Sequence, residues 1–179
     1  MSHRDDGFTL VELLVAITVL GIIAPVLVGA IVLGLKTTAA TTGQLNASHS
    51  RQELAAFFTT DVQSAVTIAD ESSTDTTTCM AAGETLVGRL SWADIDSTGA
   101  STARVVTYAT VTVAGDRQLV RHACTGSAIS TVTVVHNVVS GNLACTSTTF
   151  STAACATAAG ARLTAVDGSG SWVVEGLTR

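Results

Sequence analysis

The stretch Gly7-Phe8-Thr9-Leu10-Val11-Glu12-Leu13-Leu14-Val15-Ala16-Ile17-Thr18-Val19-Leu20 decides how this chain is read. It opens an apolar block that runs on to Leu35. A block of that length crosses a bilayer, which takes about 20 residues. Before it stands a short polar leader, Met-Ser-His-Arg-Asp-Asp-Gly. A secretory signal peptide is built differently: a shorter apolar core is followed by a small-residue cut site. Here a cut behind the leader leaves the apolar block on the mature chain.

An uncut signal anchor is the plain alternative, and Glu12 speaks against it. This carboxylate lies near the start of an otherwise apolar helix. An Asp at mid-membrane costs roughly 2.5–3.5 kcal/mol on insertion scales, so an acid in such a span is a functional candidate by default. A passive anchor has no use for one.

Beyond the block, composition narrows the classes. A chain of 179 residues holds one modest domain plus an extension. Net charge is -5 and Lys36 is the only lysine, so no clustered cations offer a nucleic-acid face. Thr, Ser, Ala and Val dominate the remainder, a composition that favours β structure. The cysteines Cys79, Cys124, Cys145 and Cys155 form no C-x-x-C pair, which argues against zinc. An even number in an exported domain reads as disulfides. Three pairings are open. Cys145 and Cys155 are neighbours that can close a small loop, leaving Cys79 with Cys124, but the sequence does not choose.

The segment Gly7-Phe8-Thr9-Leu10-Val11-Glu12 resembles the class III signal of type IV pilins and type II secretion pseudopilins. That resemblance implies a prepilin peptidase cut after Gly7 and N-methylation of Phe8. It makes Glu12 the fifth residue of the mature chain, the place of the family's glutamate. Asp5 and Asp6 stand where the family often has a basic residue. The implied partners are other pilin or pseudopilin subunits, the peptidase, an inner-membrane assembly platform and the lipid bilayer. The implied location is the cell membrane, with the head outside the cytoplasm, and then a filament. Physical reasoning agrees, because a carboxylate in an apolar filament core needs a positive partner or a proton. The new amine of a neighbouring subunit's Phe8 supplies that charge and sets the register.

Helical periodicity resumes after Lys36: Leu54, Phe58, Val62 and Val66 repeat every four residues. One helix is expected from about Phe8 to Ala69, roughly 90 Å at 1.5 Å per residue. Pro25 interrupts it, one turn after Gly21. A kink is the plain reading; the resemblance implies local melting on leaving lipid. Residues 37–46, with Thr pairs and Gly43, form a second weak stretch.

Past Asp70 the pattern changes. Residues 71–78 read as a polar linker or loop. Strand-like runs follow at 85–92, 103–113, 118–123, 129–139, 162–166 and 171–177, with a hairpin signal at Ala-Gly-Asp-Arg after Val113. The fold class is therefore α+β: a long N-terminal helix, half transmembrane and half amphipathic, packed on an antiparallel sheet. Its expected parts are a leader (1–7), an assembly helix (8–35), an amphipathic helix (36–69) and a β-rich head (70–179). Tyr108, Leu119 and Arg121 on a strand–turn–strand, with Arg51 and Asp61 on the helix, resemble the J-type minor pseudopilins and W-type minor pilins. That favours a minor over a major subunit.

Catalytic signals are thin. His49, His122 and His136 are scattered, and no G-x-S-x-G elbow is present. Asp94 and Asp96 lack the glycine and distal glutamate of an EF-hand and read as a solvated turn. Neither an enzyme nor a cofactor or metal is expected. The other function class is an adhesive or ligand-binding protein that borrows the pilin anchor.

Overall fold

The computed structural model describes residues 9–72, 79–168 and 170–179. The Gly7–Phe8 junction and most of the expected 71–78 loop lie outside them. The chain divides into two compact units, Met1–Asn46 and Ala47–Arg179. One continuous helix, α1 (Leu10–Ser64), has residues in both.

In the first unit, α1 starts on a side-chain cap. The Thr9 hydroxyl oxygen accepts the Glu12 backbone N–H at 3.3 Å, an N-cap bond to the third helical residue. Leu10–Thr38 is long and apolar enough to cross a bilayer, and none of it is buried within the protein. The hydroxyls inside this span are satisfied locally: Thr18 donates to the Val15 carbonyl and Thr37 to that of Leu33. The helix runs on through Pro25, which offers no N–H to the Gly21 carbonyl one turn before. Residues 37–46 also stay helical, because extending an existing helix adds one hydrogen bond per residue fixed.

In the second unit, Leu54, Phe58 and Val62 form the buried stripe that their spacing predicts. The helix stops at Ser64, however, not at Ala69. The β-branched Val66, Thr67 and Ile68 favour an extended backbone. Val66 N–H donates to the Ser91 carbonyl at 2.9 Å. From there β1 (Thr67–Asp70) pairs antiparallel with β2 (Thr85–Ile95).

The head holds two sheets where one was expected. The first is an antiparallel meander of β1, β2, β3 (Ser101–Val113), β4 (Asp116–Thr125) and β5 (Ala128–Val135). The second contains β6 (Val138–Thr146), β7 (Gly160–Asp167) and β8 (Gly170–Leu177). The run 129–139, expected as one strand, breaks at Asn137. That residue sits in the left-handed region at φ 56, which Asn tolerates better than most residues. Its N–H donates to the Asp116 carboxylate at 2.9 Å, which fixes the corner that sends β6 into the second sheet. The β3–β4 hairpin closes where its signal lies, with Ala114 and Gly115 both at positive φ.

One core joins these layers. Leu54, Phe58 and Val62 pack with Leu90, Val106, Tyr108 and Leu119 of the first sheet and Leu143 and Leu163 of the second. Approach is close where glycine permits it. A Cβ on Gly176 would lie 2.9 Å from Cβ of Val62, and one on Gly88 would lie 2.5 Å from Leu143.

Of the three open cysteine pairings, the structure holds Cys79–Cys124 and Cys145–Cys155. They close loops of 45 and 10 residues in sequence separation. Chain-entropy reasoning assigns about 4 kcal/mol to the longer loop and about 2.7 kcal/mol to the shorter. Urea unfolding should therefore show Cys79→Ala/Cys124→Ala as the more destabilised double variant. Equal midpoint shifts, or a larger loss from Cys145→Ala/Cys155→Ala, would contradict this ordering.

Candidate functional site

The residues singled out by sequence fall into two groups. Glu12, Gly21 and Pro25 lie on the exposed apolar part of α1. Glu12 occupies the first turn, where a negative charge complements the helix dipole. The first unit is a bare apolar rod: Leu10, Leu13, Ile17 and Leu20 are each more than half exposed. Such a surface requires lipid or other apolar helices around it.

The second group converges inside the head. Asp61 is buried on α1 and Tyr108 on β3, and Arg121 on β4 is half-buried. Arg121 clasps the Asp61 carboxylate with Nε and Nη2, both at 2.7 Å, and the Tyr108 hydroxyl donates to Asp61 Oδ2 at 2.7 Å. The guanidinium also lies 4.9 Å from the Phe57 ring centroid. Burial, and then the adjacent Asp61 carboxylate, push the Tyr108 hydroxyl well above its usual range, so it remains a donor. For Arg121 burial acts downward, but its bonds to Asp61 prevail and raise it. Leu119 lies fully buried in the core. Arg51 donates to Asp167 at 3.3 Å and stands 5.8 Å from the Trp172 ring centroid. These residues hold α1 to the sheets.

One buried pair escaped the sequence reading. His122 Nδ1 lies 2.8 Å from the Thr131 hydroxyl and Nε2 lies 2.8 Å from Glu84, whose carboxylate also accepts the Ala81 N–H. The Nε2 contact is an ion-pair distance without hydrogen-bond alignment. A signal existed: His122 falls between Val120 and Cys124 on one face of an alternating strand.

Asp96 forms the turn expected of it. It accepts from the Thr98 hydroxyl and from the N–H groups of Thr98 and Ala100; the hydroxyl bond above all holds its carboxyl below the usual range. Asp94 pairs instead with Arg104 and Trp92. Among the described residues, no three His, Cys, Asp or Glu side chains gather to hold a metal ion.

Residues 2–24 match the family model of the prokaryotic N-terminal methylation motif, the prepilin signal of type IV pilins and pseudopilins. The chain is thus pilin-like in its processing signal and in the apolar helix that follows. No curated protein and no solved structure matches the chain significantly.

Two measurements follow. The mature protein extracted from membranes should begin at Phe8 and carry one methyl group by mass spectrometry; an intact leader in cells with active peptidase would contradict this. The Tyr108 environment has its own test, since it is the only tyrosine. An unfolded tyrosine ionises near about pH 10. The native hydroxyl keeps its proton beyond that, so stability present below that pH is lost as pH rises further. Tyrosinate absorbance should therefore appear later in native than in urea-unfolded protein. Coincident titrations would refute the buried donor.

Proposed function

We propose that this chain is a minor pilin or pseudopilin, a structural subunit that initiates or caps a type IV pilus-like or type II secretion-like filament. A prepilin peptidase cuts it between Gly7 and Phe8. The apolar half of α1 stores it in the bilayer with the head outside the cytoplasm. An inner-membrane platform then passes it into the filament, where other subunits replace lipid around the helix. The observation that carries this reading is Glu12, an acid within the methylation motif on a helix otherwise apolar to Leu35.

Glu12 acts at the transfer step. Near the membrane surface its carboxylate reaches water. Among apolar helices it needs a cation, and the Phe8 amine of a neighbour provides one. A buried pair of this kind contributes little net stability but sets the axial register. Pro25 supports the same transfer: the unpaired Gly21 carbonyl makes the turn between them the cheapest place for α1 to open as its surroundings change. The minor assignment is supported by Arg51, Asp61, Tyr108, Leu119 and Arg121, the positions that resemble J-type and W-type subunits.

The test isolates Glu12. Alanine there makes the helix more apolar, so insertion persists. The junction up to Phe8 is unchanged, so cleavage persists. Glu12→Ala should accumulate in membranes as processed protein and be depleted from sheared filaments, with Glu12→Asp intermediate. Wild-type filament levels of Glu12→Ala, measured by blotting both fractions, would refute the register role.

A further inference from the structure

Two features meet on the outer face of the second sheet. The first is an open groove of about 520 Å³, lined by Arg162 and Thr164 of β7 and by Val173 and Glu175 of β8. Arg162 Nε donates to the Glu175 carboxylate, and Nη2 donates to the Phe150 carbonyl at 2.9 Å. This pair is not sealed from water: its side chains are 36% and 31% exposed. Pairing cancels the charge but leaves bonding capacity unused. Among the described residues, Arg162 Nη1, the second Glu175 oxygen and the Thr164 hydroxyl have no intramolecular partner.

The second feature is the turn that supplies the carbonyl. Cys145–Cys155 closes a small hairpin in which the Ser147 N–H donates to the Ser151 carbonyl at 2.8 Å, with three residues between them. The last of the three, Phe150, lies at φ 57. Three-residue hairpins normally put glycine at this left-handed position, because a bulky side chain there is strained. Phe150 occupies it without packing against the hydrophobic core. A glycine would build the same turn without strain, so the fold does not call for the ring. Strain of this kind collects where a chain meets a ligand. From Cys145 to Ala161 no residue is charged.

We propose that this groove binds a neutral saccharide, an inference that takes the head's place outside the cytoplasm from the reading above. The chemistry selects the class. A sugar hydroxyl both donates and accepts, so two adjacent hydroxyls match an unused guanidinium N–H beside an unused carboxylate oxygen. Glu175 repels a phosphate or carboxylate, and Arg162 repels an ammonium group. Val173, 51% exposed, offers apolar contact to the C–H face of a sugar ring. Phe150, tied to Arg162 through its carbonyl, brings an aromatic residue beside the groove. The disulfide already holds that turn, so little ordering is left to oppose binding.

The experiment uses the full chain in micelles of a detergent without a sugar headgroup, applied to an array of neutral and acidic oligosaccharides. Wild type should bind neutral members and not acidic ones. Thr164→Val removes an unpaired hydroxyl at nearly constant volume and should weaken that binding on the order of tenfold. Phe150→Gly should weaken it while the melting temperature stays at or above that of wild type, because the strain is removed. Val66→Lys, on a side chain 83% exposed elsewhere on the head, should bind as wild type. Absence of binding to every neutral member overturns the proposal, as does binding confined to acidic members. Wild-type binding by Thr164→Val or Phe150→Gly places the sugar elsewhere and also overturns it. Should Phe150→Gly melt lower, the ring is a packing residue and Thr164→Val decides alone. The filament assay on Glu12 shares none of these readouts, so the two readings fail separately.

Discussion

The Asp61 carboxylate is the point on which the head depends. It is the buried acid of a helix that otherwise meets the sheets through Leu54, Phe58 and Val62. Its two oxygens are fully engaged by a bidentate Arg121 and by the Tyr108 hydroxyl. Apolar contacts are tolerant of sliding; a fork of hydrogen bonds is not. This cluster fixes the rotation of α1 about its axis and its height on β3 and β4. Substituting one partner alone would strand a buried charge, at about 3–5 kcal/mol. The Cys79–Cys124 bridge then ties the loop before β2 to the strand that carries Arg121.

Two carboxylates on one helix, Glu12 and Asp61, meet opposite fates. Asp61 finds a cation and a hydroxyl within its own chain. Among the described residues, Glu12 has its backbone N–H capped by Thr9, and its apolar neighbours face outward. The same contrast holds for apolar area. In the head the stripe is covered, whereas over residues 10–38 none of the described residues covers it. Lipid and neighbouring helices are interchangeable solvents for such a surface, so it can pass from one to the other at little cost in apolar burial.

How much of this was legible varied with the range of the interaction. The methylation motif and the apolar helix are local patterns and read directly. So did the hairpin after Val113, because two adjacent positive-φ residues are a local demand. The end of α1 was missed by five residues, since Val66 and Ile68 continue a helical stripe as well as they begin a strand. Only the ladder to Ser91 and Leu90 decides between them, and that contact is distant in sequence. The second sheet was missed for a related reason. Residues 129–139 alternate acceptably throughout, and the break depends on Asp116 capping Asn137 from another strand. The His122–Glu84 pair joins positions that no local pattern connects.

The location of the resembling residues limits what the likeness in the head can mean. Asp61, Tyr108 and Leu119 are buried and Arg121 nearly so, all within one core. Agreement at such positions describes how a head of this kind is held to its helix. Arg51, the fifth, has its side chain 39% exposed but is engaged with Asp167 and Trp172, so agreement at these positions says little about what the head touches. That information must lie on exposed positions. The outer side of β7 and β8 is polar, with Arg162 and Glu175 engaged with each other and an open groove of about 520 Å³ between them, Thr164 and Val173. Recognition at the groove is read through side chains that are already paired, and so through the donors and acceptors that the pairing leaves unused.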